Sequence, residues 1–202
     1  SQELESLRSA SQNFHSSLSL TNATYLETKK AYAEKRVNAI TEVWKEFVEF
    51  RERTPSEITW LDILDKSEYD EFSNNPIFNG FKEGTDLGII NDIMPKKLDI
   101  LRPFMDDITY QLFGTYTGTV GRLCLYLNKC CDGNAPKNNW RDDDDGVVRI
   151  LRAGLSDAEF QQFQTEKWSV QLLLNFLQLR ISNHLKSIAT GADLAKEAMD
   201  HA

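Results

Sequence analysis

Cysteine and histidine are scarce in this sequence, and these residues hold most structural zinc ions. Of the 202 residues, three are cysteines and three are histidines. Cys130 and Cys131 are neighbours, no two cysteines have the C-x-x-C spacing, and the histidines are scattered. A closed zinc site needs four ligands at short spacings, and a disulfide scaffold needs paired cysteines. The sequence therefore predicts no cofactor and favours a reducing compartment, which we take to be the cytoplasm.

Long apolar runs are also missing. The longest strongly apolar stretch, 170–179, is interrupted by Gln171, Asn175 and Gln178, whereas a membrane-spanning helix needs about 20 predominantly apolar residues. Membrane contact is therefore expected only through a segment absent from this chain. Because the sequence begins with Ser1 rather than Met, one interpretation left open is the soluble domain of a membrane-anchored protein.

Positive charge is outnumbered by negative charge. The chain has 23 Lys and Arg against 31 Asp and Glu, for a net charge of −8. Such an acidic protein repels phosphate backbones, so no nucleic acid partner is expected. The hydrophobic fraction of 41% and the length both fit one ordinary folded domain.

Motifs that specify a reaction are absent from the sequence. It contains no nucleophile elbow and no phosphate-binding loop, and its glycines do not match a dinucleotide-binding fingerprint. One weak catalytic candidate remains, because Arg180 and His184 lie four residues apart and would share a helix face. Together they could act on a phosphate, with His184 as general acid or base. A structural histidine on a packed helix is the simpler interpretation.

A run of four aspartates is the weak candidate for a metal site. Asp142, Asp143, Asp144 and Asp145 could share a divalent cation that relieves their mutual repulsion. A calcium loop aligned on Gly146 would, however, require acids where this sequence has Arg141 and Arg152. A solvated acidic loop is the simpler interpretation.

Helical periodicity is the strongest pattern in the sequence. Apolar residues spaced by three and four, without interrupting Gly or Pro, predict a long amphipathic helix over 22–53. Similar stripes predict helices over 103–131 and 157–190. Three glycines among Thr and Tyr residues over 114–121 leave a β-hairpin there as the alternative. If that stretch is helical, the glycines are expected to allow another helix to approach closely.

Two sequences match the capping box that opens a helix. Thr54-Pro55-Ser56-Glu57 predicts a turn followed by a new helix, and Ser156 with Glu159 predicts a second helix start. Together these patterns predict an all-α protein, an elongated helical bundle of three long helices with short capping helices. Residues 1–21 are expected to form a loosely ordered N-terminal arm, and residues 22–202 a single helical bundle domain.

The apolar stripe of the first long helix continues toward its N-terminal end through Tyr25, Tyr32 and Val37. Few other helices are long enough to cover it, so we expect these residues to bind a protein partner, most simply a second copy in a homodimer. In the alternative, residues 1–21 fold back over the stripe and leave a monomer. The predicted function is a non-enzymatic interaction or scaffold module. The rival prediction is a phosphoester hydrolase that uses Arg180 and His184, or a metal held by the aspartates.

Overall fold

The computed structural model describes residues 2–64, 68, 98–132, 134, 136, 138–142 and 146–190, and the side chains of the first helix from Ser16 onward. Within these ranges the regular structure is entirely helical, which confirms the all-α class. The α-helices are α1 (Gln2–Arg53), α2 (Leu98–Leu101), α3 (Asp107–Cys131), α4 (Val147–Gly154), α5 (Asp157–Glu166) and α6 (Val170–Thr190). Short 3₁₀ helices cover Ser56–Asp62, Arg102–Phe104 and Trp140–Asp142.

Helix α1 begins much earlier than the sequence pattern predicts. It starts at Gln2 rather than near residue 22 and has 52 residues, which corresponds to about 78 Å at 1.5 Å per residue. The threonines of its polar half support it, since Thr21 and Thr24 donate hydrogen bonds to the carbonyls of Ser17 and Leu20. Because the helix is continuous, residues 2–21 do not fold back over the stripe. The division of the chain into an arm and one bundle domain stays a prediction.

The first predicted capping box is wrong. The hydroxyl of Thr54 donates to the carbonyl of Phe50 at 3.0 Å and so ends α1 instead of opening a new helix. Residues 56–62 then form a 3₁₀ helix that follows Pro55 without a side-chain cap. The turn expected at this point is confirmed.

Helix α3 replaces the β-hairpin that was the alternative over 114–121, and it starts at Asp107 rather than at residue 103. The threonines in this stretch are accommodated because their hydroxyls bond to their own helix, as Thr117 does to Phe113 O at 3.0 Å. A Cβ built on Gly118 would lie 3.1 Å from Cδ1 of Ile150 in α4, so this glycine allows close packing. Gly114 has no such neighbour, since a Cβ added there would meet nothing within 4 Å.

The helix predicted over 157–190 is two helices. The chain leaves α5 at Lys167, whose φ of 49° is left-handed, and enters α6 at Val170. The new helix start is capped by Ser169, whose hydroxyl accepts from Leu172 N at 3.1 Å, and by Asp62, which accepts from Val170 N at 2.7 Å. The second predicted capping box, between Ser156 and Glu159, is confirmed at the start of α5.

The hydrophobic core lies between the C-terminal part of α1 and helices α3, α4 and α6. Among the described side chains of α1, from Ser16 onward, the first buried one is Ala39, and burial then recurs at Val43, Phe47 and Phe50. The ring of Phe47 packs edge-on against Tyr116, with centroids 4.9 Å apart. The core therefore holds only the last third of α1.

Candidate interaction surface

The N-terminal part of α1 extends away from this core. From Ser16 to Asn38 every side chain is exposed except that of Arg36, which is half-buried. We call residues 16–38 the projecting segment. A helix with solvent around its whole circumference is supported by its own hydrogen bonds and by the part of it that lies in the core.

Apolar side chains of the projecting segment form two rows along the helix. Leu18, Tyr25 and Tyr32 are spaced by seven residues and lead to buried Ala39. Leu26 and Ala33, also seven apart, lead to Ile40 and buried Phe47 on the adjoining face. Because residues seven apart in an α-helix lie nearly above one another, both rows continue the core-facing side of α1. Tyr25 and Leu26 are 55% and 64% exposed, so the apolar face that is buried further along α1 is exposed to solvent here.

Two of the three residues expected to bind a partner share one row. Tyr25 and Tyr32 are in the first row, whereas Val37 lies more than about 100° away around the helix, beside the second. All three side chains are exposed. Their role in an interaction stays a prediction.

Polar neighbours of the first row direct their hydroxyl protons to the carbonyls of their own helix. The hydroxyl of Thr21 donates to Ser17 O and that of Thr28 donates to Thr24 O, each at 2.8 Å. The ammonium of Lys29 lies 4.7 Å from the ring centroid of Tyr25. The threonines therefore add methyl groups to the apolar strip, and Lys29 covers one ring face.

Charge is distributed unevenly along α1. The projecting segment has four basic residues, Lys29, Lys30, Lys35 and Arg36, against the two acids Glu27 and Glu34. The N-terminal end of α1, before the projecting segment, contains the acids Glu3 and Glu5. In a chain with a net charge of −8, the projecting segment is thus locally positive.

The second row ends at a groove between α1 and α6. This cavity of about 490 Å³ is lined by Ile40, Thr41 and Trp44 of α1 and by Ser182, Leu185, Lys186 and Ala189 of α6. Val37 is one turn before Thr41, whose hydroxyl donates to the Val37 carbonyl at 3.0 Å. The apolar surface of the projecting segment therefore continues into a groove of the bundle.

The catalytic candidates Arg180 and His184 both have structural partners. Arg180 donates to the carbonyl of Gly154 at the end of α4, with 2.9 Å between Nη1 and O, and its Nε lies 3.4 Å from Oε1 of Glu159. Nε2 of His184 lies 3.0 Å from both carboxylate oxygens of Asp106. Each side chain thus joins α6 to the end of another helix. A catalytic role for them stays a prediction.

Of the four aspartates proposed as a metal site, Asp142 alone belongs to the described residues. Its side chain is exposed, and its backbone N–H donates to Asn139 O at 2.9 Å. Asp143, Asp144 and Asp145 lie outside the described residues. In the described part of the chain, no three His, Cys, Asp or Glu side chains come close enough together to hold a metal ion.

The three cysteines are buried free thiols. Burial raises the pKa of Cys124 and of Cys130 to about 12, so both are protonated at neutral pH. A protonated, inaccessible thiol is neither a nucleophile nor a metal ligand.

An ion pair between Asp62 and Arg141 was missed by the sequence patterns. Nη2 of Arg141 lies 2.5 Å from Oδ1 of Asp62, Nε donates to Trp168 O at 2.8 Å, and the guanidinium stacks on Trp140. Burial raises the pKa of Asp62, although hydrogen bonding by Val170 N–H and the charge of Arg141 act in the opposite direction. No local signal could have revealed this pair, because its members are 79 positions apart.

Comparisons with protein-family models, with curated proteins and with solved structures found no match for this chain. In the described residues, no helix is long and apolar enough to cross a membrane.

Proposed function

We propose that this protein is a non-enzymatic interaction module, and that the projecting segment of α1 binds a second copy of the chain. The observation that supports this most directly is the pair of apolar rows, which continue the buried face of α1 into solvent. Apolar strips of this kind commonly mark protein-binding surfaces. The elongated bundle of three long helices would serve as the base, with α5 and α6 together as the third. The cytoplasm is the proposed compartment, in keeping with the free thiols.

A parallel pair of α1 helices is disfavoured by the position of the bundle. The bundle packs on the same face of α1 that has the first row, starting at Ala39. In a parallel pair both bundles would lie at the same height along the helix axis, and each bundle would clash with α1 of the other copy. Parallel pairing would also bring Lys35 and Arg36 beside their own counterparts.

An antiparallel pair avoids both problems. Helix residues 2–38 of two copies, about 55 Å long, can overlap completely before either meets the other's bundle. In this longest overlap, each residue of one copy faces a residue of the other copy, and the two residue numbers add up to about 40. Glu3 then lies beside Arg36 of the partner subunit, which pairs opposite charges at both ends.

The same register matches apolar positions. Tyr25 falls beside position 14 of the second copy and Tyr32 beside position 7, which the sequence fills with Phe14 and Leu7. Leu18 lies next to the two-fold axis. The register thus gives each aromatic residue of the first row an apolar counterpart.

Structural partners of the catalytic candidates also favour a non-enzymatic module. Arg180 and His184 are engaged with helix ends rather than aligned on a shared open pocket. Neither side chain lines the groove between α1 and α6.

Light scattering at concentrations from about 1 to about 100 µM tests the dimer. The expected mass at the upper end is twice 23.2 kDa. The double variant Tyr25→Glu/Tyr32→Glu should return it to 23.2 kDa. Leu20→Glu is the matched control, because Leu20 is 71% exposed but lies on the opposite face of the helix. A monomer across the whole range, or equal loss of the dimer in Leu20→Glu, would refute the proposal.

Spin labels test the orientation. A label at Glu34→Cys should report about 45–50 Å between copies in the antiparallel register, and about 25–30 Å in a parallel pair, because Glu34 lies on the outer face of the helix. The native cysteines Cys124, Cys130 and Cys131 are buried and should not react with the label. A short distance would overturn the antiparallel arrangement while leaving dimerisation itself intact.

A further inference from the structure

A small cavity lies where the C-terminal end of α1 meets α3, α6 and the 3₁₀ helix at Ser56–Asp62. Its volume is about 180 Å³, and its polar lining includes Arg51, Thr59, Tyr116, Gln171, Asn175 and Gln178. It is far along the chain from the projecting segment and plays no part in the proposed dimer. We call it the Arg51 pocket.

Tyr116 presents a buried hydrogen-bonding group at this pocket. The side chain is 2% exposed, and its ring is fixed by edge-on contacts with Phe47 and Phe50 at centroid distances of 4.9 and 6.1 Å. Tyr116 lines the pocket, and its hydroxyl makes no hydrogen bond to any described residue. Burial raises the pKa of Tyr116 to about 12, so the hydroxyl is a neutral donor at neutral pH.

Arg51 supplies a positive charge beside this hydroxyl. Its guanidinium is close enough to oppose the rise in the Tyr116 pKa. Within the described part of the chain Arg51 has no carboxylate partner, whereas Arg53, two residues further on, lies 3.8 Å from Glu49. The described lining of the Arg51 pocket contains no Asp or Glu.

Amide side chains from α6 complete the set of donors. Residues 171, 175 and 178 share one helix face, and Gln171 Nε2 donates to Asn175 Oδ1 at 3.0 Å. That bond uses the oxygen of Asn175 and leaves its N–H groups available. The carbonyls at the end of α1 are less available as acceptors, because Thr54 donates to the carbonyls of Phe50 and Arg51.

We infer that the Arg51 pocket binds a small oxyanion, such as a carboxylate or a phosphate, through the guanidinium of Arg51 and the hydroxyl of Tyr116. A guanidinium forms charge-assisted hydrogen bonds with carboxylate and phosphate oxygens, and a hydroxyl adds a further donor. The volume is below the roughly 300–1,000 Å³ of pockets for drug-sized molecules, which limits the ligand to a few non-hydrogen atoms. A bound anion would join α1 to α3 and α6 and so stabilise the fold.

Thermal unfolding at constant ionic strength tests this inference. The full chain is titrated with sodium phosphate, sulfate or acetate, with sodium chloride replaced to keep the ionic strength fixed. At least one of the three oxyanions should raise Tm in a saturable way, by about 3–5 °C at roughly ten times its Kd. A comparison of the Tm rise produced by phosphate with the rise produced by acetate distinguishes a phosphate site from a carboxylate site. If none of the three raises Tm saturably, the inference is overturned.

Three variants assign the effect to the pocket. Arg51→Gln and Tyr116→Phe should each abolish the saturable shift, while Arg53→Gln should retain it. Tyr116→Phe keeps the ring that packs on Phe47 and Phe50 and removes only the hydroxyl, so the protein without ligand should stay folded. A shift of equal size in the original protein, Arg51→Gln and Tyr116→Phe would identify a general salt effect and refute the site.

Discussion

Nε2 of His184 lies 3.0 Å from each carboxylate oxygen of Asp106, the residue that caps the first turn of α3. The same carboxylate accepts a hydrogen bond from Thr109 N at 2.7 Å. Burial disfavours the ionised form of Asp106, but the hydrogen bonds from Thr109 and His184 outweigh it and lower its pKa below the ordinary 3.8. One carboxylate therefore both starts α3 and holds α6 against it.

Replacing Asp106 by Asn should lower the free energy of unfolding by about 1 kcal/mol at pH 7. Asn retains a cap but loses the charge-assisted bond to His184. Because the folded-state pKa is lowered, the contribution of the carboxylate is fully present above the unfolded pKa and is lost as pH falls through the folded pKa. Urea unfolding should therefore give a difference between the two proteins that shrinks below about pH 4. Asp107→Asn, at the exposed neighbouring position, is the control and should change stability by less than about 0.5 kcal/mol.

Arg180→Ala should destabilise the protein by about 1–2 kcal/mol, because it leaves the Gly154 carbonyl and Glu159 without their partner. The circular dichroism spectrum should stay helical. Arg149→Ala, which removes an exposed arginine from α4, is the matched control with little expected change. If Arg180→Ala unfolds at the same urea concentration as the original protein but loses an activity, Arg180 is a catalytic residue after all.

Asp62 and Arg141 should be coupled by about 1–2 kcal/mol in a double-mutant cycle measured by chemical denaturation. Their side chains are only 16% and 22% exposed, and both also bond to backbone groups around the start of α6. The pair of Glu42 and Lys45 on α1, 47% and 61% exposed, is the internal comparison. Its coupling should stay below about 0.5 kcal/mol, as for exposed pairs on helices. Equal coupling in the two cycles would show that the low exposure of Asp62 and Arg141 and their bonds to backbone groups do not strengthen the pair.

Two glycine substitutions should have opposite effects. A Cβ on Gly154 would overlap the side chain of Thr115, so Gly154→Ala should cost about 1–3 kcal/mol. A Cβ on Gly114 meets nothing within 4 Å, so Gly114→Ala should stabilise α3 by up to about 1 kcal/mol. The change Thr115→Ser in the Gly154→Ala background should recover part of the loss. Thermal unfolding of the four proteins measures both effects, and a stabilising Gly154→Ala would contradict the close approach of α3 and α4.

Several regular elements could be predicted from local patterns in the sequence. The apolar periodicity over 22–53 predicted the helix in that range, and the box formed by Ser156 and Glu159 predicted the start of α5. Prediction failed where distant residues act. The break at Lys167 contains no Gly or Pro, and one of the two caps at the start of α6 comes from Asp62, which is 108 positions away from Val170.

For the candidate sites too, local properties could be predicted from the sequence and contacts between distant residues could not. Exposure of Tyr25 and Tyr32 followed from the length of their stripe, which is a local property. The partners of Arg180 and His184, by contrast, come from α4, α5 and the start of α3, so helical spacing on α6 alone could not predict them. The Arg51 pocket joins four elements and has no sequence signature at all.

The continuity of α1 has a consequence for the energetics of any partner that binds its N-terminal part. Starting a helix is the unfavourable step, with a nucleation constant of about 10⁻³, whereas adding residues to an existing helix is nearly neutral. The buried turns around Val43 and Phe47 supply that nucleus, so the projecting segment is already ordered when a partner arrives. Partner affinity thus depends on core packing several turns away, and a cavity at Val43 would weaken binding at Tyr25 without altering any residue of the contact surface.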